Sequence, residues 1–176
     1  LVNLLSVVSL VGFLYFVAQH LQLIVGLSPM DAGFALVPGM AAMIVAGLLV
    51  VPIARRVSAR VVVPVALTFS VVAYLLVPGA VGDGALALLI AAFVLLGIGI
   101  GAAETVSNEL ILASAPPAKA GAASAVSETA YELGAVLGTA VLGGILTAAY
   151  RTGIVLPAGV EGAAADAARE TLAGAM

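Results

Sequence analysis

Residues 84–103 read Gly84-Ala85-Leu86-Ala87-Leu88-Leu89-Ile90-Ala91-Ala92-Phe93-Val94-Leu95-Leu96-Gly97-Ile98-Gly99-Ile100-Gly101-Ala102-Ala103, twenty residues without a charged side chain. At 1.5 Å rise per residue, about 20 apolar residues cross a hydrocarbon core of about 30 Å. The run is continuously apolar instead of alternating, which favours a helix over a barrel strand, and backbone groups in lipid must be satisfied inside one or the other. Outward from this run, four more stretches free of Asp, Glu, Lys and Arg cover residues 1–30, 32–54, 61–82 and 133–150. The pattern predicts an all-α membrane protein with five transmembrane helices, at about 1–26, 32–54, 61–79, 84–114 and 121–149. Pro38 lies inside the second run, which predicts a kink or a late helix start.

The composition agrees with that reading. Of 176 residues, 64% are hydrophobic and 9% charged, where a soluble domain carries roughly 25% charged residues. A water-soluble monomer is excluded. Six basic and nine acidic side chains give a net charge of −3, so no nucleic-acid footprint of clustered Lys and Arg exists. Zero Cys and one His leave no disulfide framework, thiolate nucleophile or multi-His metal site. G-x-S-x-G, H-E-x-x-H and P-loop patterns are missing, and Gly97-Ile98-Gly99-Ile100-Gly101 lacks the preceding strand of a dinucleotide fingerprint. These glycines read as helix packing. The chain is not expected to be an enzyme or to hold a cofactor or metal.

Turn residues separate the spans: Gly26 to Asp31, Pro78 to Asp83, and Ala115-Pro116-Pro117 before Lys119. Arg55, Arg56 and Arg60 fall between the second and third runs and Lys119 between the fourth and fifth, whereas the other two loops hold no Lys or Arg. The positive-inside rule places the two basic loops in the cytoplasm and the segment after Tyr150 outside. Residues 151–176 read as an external loop with a short helix near 163–172. The opening inside an apolar run, with no initiator Met or signal peptide, predicts a piece of a longer polypeptide, truncated before a final span.

Polar residues within the spans are the candidates for chemistry, because an acid at membrane depth costs about 2.5 to 3.5 kcal/mol on insertion scales. Glu128 and Glu132 are four apart and share a helix face with Ser124, Ala135 and Thr139, while Gly134 and Gly138 lie on the opposite, packing face. Counting back about 20 residues from the outer edge puts Glu132 inside the core and Glu128 near the inner interface. Glu132 reads as functional or as a structural hydrogen-bonding acid; Glu128 reads as functional or as a solvated acid in the first turns of a helix. In the fourth span Gly97, Gly101, Glu104 and Asn108 form one stripe, for a cavity wall or for solvation and a helix contact, whereas Glu109 points elsewhere as a solvated acid. Tyr15, Gln19 and Gln22 follow at i, i+4 and i+7 in the first span, a cavity wall or a set of interhelical hydrogen bonds. His20, one step around, reads as an interfacial histidine more than a proton relay.

Two segments resemble a known family. The run Tyr15 to Gly33 with Leu36-Val37-Pro38-Gly39 resembles the first two spans of the C-terminal half of major facilitator drug/proton antiporters. Ser114-Ala115-Pro116-Pro117, Ala120 to Ala125 and Ser127-Glu128-Thr129-Ala130-Tyr131-Glu132-Leu133-Gly134 are similar to the penultimate span of the fourteen-span, EmrB/QacA-like branch. The resemblance implies a partial major-facilitator bundle equivalent to spans 9 to 13 of 14, in a bacterial cytoplasmic membrane. It implies proton-coupled export of lipophilic or cationic drug-like compounds, with Glu128 and Glu132 of the kind that recognise cations and couple protons. The partners implied are the small-molecule substrate, protons, the lipid bilayer, and the missing N-terminal half and last span of the same transporter. The loop Ala54 to Arg60 keeps basic residues but has neither the Gly nor the Asp of the superfamily's loop pattern. The alternative from another class is a non-transporting structural or accessory bundle, whose polar stripes only hold helices together.

Overall fold

The computed structural model describes residues 1–81 and 85–154. The expected turn at Gly82-Asp83 and the expected short helix near 163–172 lie outside the described residues. Helix α1 (Val2–Gln19) continues through a π-helical turn (His20–Ile24), and α2 covers Pro29–Ala54. Helix α3 (Ala59–Leu76) ends in a 3-10 turn (Val77–Val81), and α4 is Ala85–Ser114. After a 3-10 turn (Pro117–Lys119), α5 (Ala120–Leu137) passes through a second π turn (Gly138–Leu142) into α6 (Gly143–Gly153), all one span. Five helical segments are long and apolar enough to cross a membrane, and no strand occurs among the described residues.

Helix ends follow local chemistry. Gly26, at φ 78°, stops the first span in the left-handed region. Two residues on, the Ser28 hydroxyl accepts from the Asp31 N–H at 3.2 Å and donates to the Asp31 carboxylate at 2.7 Å, a reciprocal cap with Pro29 at the first helical position. Helix α2 therefore begins within the segment read as a loop, earlier than 32, and runs through Pro38 without a late start.

Helix α4 is the centre of the bundle. It lies between α2 and α3, while α1 packs on α5 and touches α4. In lipid, close approach and van der Waals contact do most of the joining, so small residues mark the seams. Gly97 and Gly101 sit against the α2 backbone at Gly39 and Met43, and Gly99, on the other side of α4, sits against Ala66 and Ser70 of α3. Gly134 and Gly138 press on α1 at Leu4, Val7, Val8 and Val11. The glycine runs are packing surfaces.

An aromatic junction ties three helices. Phe13 of α1 stacks on Phe93 of α4 with centroids 5.3 Å apart and meets Tyr74 of α3 edge-on at 6.0 Å. The Tyr74 hydroxyl donates to the Ser9 carbonyl at 2.6 Å. Large apolar side chains, among them Phe34, Ile44, Leu48, Val65, Leu75 and Val136, are exposed. That distribution suits a hydrocarbon surround and not water.

Candidate functional site

Helix α4 carries its polar stripe along the seam with α2. A cavity of about 500 Å³ opens there, lined by Met43, Gly47 and Val51 of α2, Gly101, Glu104, Thr105, Asn108 and Glu109 of α4, and Tyr131 of α5; α2 stays on α4 beyond Gly101, with Gly47 at Thr105 and Val50 at Val106. Thr105 turns its hydroxyl back to the Gly101 carbonyl at 2.7 Å, so the backbone of α4 absorbs it. One oxygen of Glu104, Oε1, is buried with no hydrogen-bond partner. Among the described residues no group of three His, Cys, Asp or Glu could hold a metal ion.

Asn108, one turn from Glu104, joins a chain of hydrogen bonds across three helices. The Asn3 amide N–H donates to Ser127 Oγ at 3.4 Å, and the Ser127 hydroxyl donates to Asn108 Oδ1 at 2.9 Å. Asn3 and Ser127 are buried and Asn108 half-buried. The structure thus brings Glu104 and Asn108 together at one cavity, adds Tyr131 to its lining, and also places there Glu109, which the sequence reading turns to another face; Ser127 and Asn3, not singled out either, stand behind Asn108 in the hydrogen-bond chain. Signals for them existed: Ser127 and Tyr131 share the buried face of α5 with Gly134 and Gly138 at helical spacing.

Glu128 and Glu132 stand on the exposed side of α5, turned away from the Gly134 and Gly138 contacts with α1. They do not join the Glu104 cavity lining. Tyr15, Gln19 and Gln22 lie well away along α1 and are not part of this cavity lining. The Tyr15 ring, 37% exposed, covers Gly143 of α6 at 3.2 Å from where a Cβ would stand. Gln19 is half-buried and Gln22 exposed. His20, expected at an interface, is 4% exposed, stacked on Phe16 at 5.7 Å, with Nδ1 buried and unpartnered. Arg55, Arg56, Arg60 and Lys119 are all exposed, at the α2–α3 connection and just before α5.

Five apolar spans joined at small-residue seams, with Glu104, Glu109 and Asn108 lining one open, mostly apolar cavity, define a multi-pass helical membrane protein. Residues 1–165 match the family model of the Major Facilitator Superfamily, and the chain belongs to that family. It is similar to the multidrug efflux pump LfrA of Mycolicibacterium smegmatis, with 48% identity covering 99% of this chain and 35% of the pump. It is also similar to the methyl viologen resistance protein SmvA of Salmonella typhimurium, at 34% identity over 89% of this chain and 32% of that protein. The tetracenomycin C resistance and export protein of Streptomyces glaucescens is 33% identical over 85% of this chain and 27% of its own length. The chain spans about a third of the length of these curated relatives. The family inferred from the two sequence segments is the family found by comparison, and its relatives here are named as an efflux pump, a resistance protein and a resistance and export protein.

Proposed function

We propose that this chain is part of a proton-coupled exporter of lipophilic or cationic compounds, completed by an N-terminal half and a last span of the same transporter. The observation that carries the reading is the Glu104 carboxylate: a titratable oxygen, buried and without a partner, in the wall of a mostly apolar cavity. An unpaired charge there is costly. A proton or a bound organic cation relieves the same cost, so each displaces the other. Glu132 and Glu128 extend the acidic surface along α5 and serve cation recognition and proton coupling. Gln19, Gln22 and Tyr15 contribute the opposite, outer part of the path. Alternation of access comes from rocking between the two halves of the whole transporter. In this reading Arg55, Arg56, Arg60 and Lys119 face the bacterial cytoplasm and the segment after Tyr150 faces outward.

The experiment uses the full-length protein in everted membrane vesicles with a lipophilic cationic dye. Acidifying the vesicle interior drives dye uptake, and collapsing the pH gradient stops it. Glu104→Gln and Glu132→Gln each abolish the gradient-driven uptake while membrane insertion is unchanged. Dye uptake indifferent to the gradient in the wild type, or intact in both variants at several pH values, overturns the proposal.

A further inference from the structure

The hydrogen-bond chain from Asn3 to Asn108 has a direction, and the direction has a chemical consequence. Asn3 spends an N–H on Ser127 Oγ, so the Ser127 proton is the one that goes to Asn108 Oδ1. The Asn108 amide oxygen is thereby committed to α5. What the amide has left for the cavity it lines is its NH2 group, a donor and not an acceptor. Glu104, one turn away on the same wall, offers the opposite: a carboxylate, which when ionised only accepts. The cavity therefore presents an acceptor for a cation and, beside it, a donor for a second polar atom.

We infer that Ser127 is a positioning residue that orients the Asn108 amide, so that the Glu104 cavity favours organic cations carrying a hydrogen-bond acceptor over the same cations without one. This rests on the export reading above and names the substrate feature that the site selects. Ser127 touches no substrate; Asn108 does. A site built to hydrogen-bond a polar group discriminates against the analogue lacking it, because its own donor is then left unpaired.

The test uses the full-length transporter in proteoliposomes with two probes, benzyltriphenylphosphonium and its 4-methoxycarbonyl derivative, the same cation without and with an acceptor. The wild type transports the ester with a kcat/KM about fivefold higher, the worth of one neutral hydrogen bond. Ser127→Ala lowers that ratio toward unity by raising KM for the ester, with little change for the parent cation. Ser127→Thr, which keeps the hydroxyl, retains the preference. Asn108→Leu, which removes the donor itself, erases it, and this arm decides the matter even where Ser127→Ala fails to insert. Equal efficiency for both probes in the wild type, a preference that survives Asn108→Leu, or better transport of the parent cation overturns the inference. A wild type that moves neither probe is instead a failure of the export reading.

Discussion

Two acids on neighbouring helices meet different surroundings, and their expected roles divide accordingly. Glu104 shares a wall with Asn108 and Tyr131 and has an oxygen shut away from the surface, whereas Glu128 stands exposed on α5. An exposed carboxylate attracts cations through space and leaves neutral molecules indifferent. Glu128→Gln in the full-length transporter is therefore expected to raise KM severalfold for cationic substrates and to leave neutral ones unchanged; an equal loss for both classes removes charge recognition from its role. The Gly97, Gly101, Glu104, Asn108 stripe was readable because α4 is a regular helix and keeps its 100° step. The burial of His20, 4% exposed and stacked on Phe16, was not readable, because it depends on which neighbours cover that face. The Asn3–Ser127–Asn108 chain was out of reach too: spacing gives an azimuth on one helix, not the helix that faces it.

Between elements, glycine is the main joining device. A Cβ on Gly97 or Gly101 meets the backbone of α2, which cannot rotate out of the way, while Gly33, earlier on α2, has nothing within 4 Å. Gly101→Val is expected to cost about 1–3 kcal/mol through overpacking at the α2–α4 seam. Gly33→Ala should be neutral or slightly stabilising, since alanine is the better helix former. Thermal unfolding of the detergent-solubilised full-length protein distinguishes them, and equal midpoints for the two variants contradict the seam. The opposition of Gly134 and Gly138 to Glu128 and Glu132 was legible from spacing alone. The Ser28 cap was legible in principle from the Ser-Pro-Met-Asp order, but those residues also read as a turn; the 2.7 Å and 3.2 Å hydrogen bonds resolve the ambiguity in favour of a helix start.

Across the whole molecule, counting uncharged stretches found the spans, because bilayer thickness and helix rise together set their length. Counting could not say that α4 is central, flanked by α2 and α3, with α1 joined to α5. That arrangement depends on which small residues meet, and glycines appear on all five spans. The placement in the membrane rests instead on Arg55, Arg56, Arg60 and Lys119, all exposed and confined to two of the loops. If these loops share the cytoplasmic side, Cys placed at Ser58 and at Pro116 in a cysteine-free full-length transporter should react with an impermeant maleimide only after the membrane is opened. Cys at Val25, in the loop without basic residues, should react in intact cells. Each helix crosses once, so moving any one of these positions to the other face requires moving the others with it; Ser58 and Val25 labelled from one side therefore contradicts the orientation and, with it, the direction in which protons would drive export.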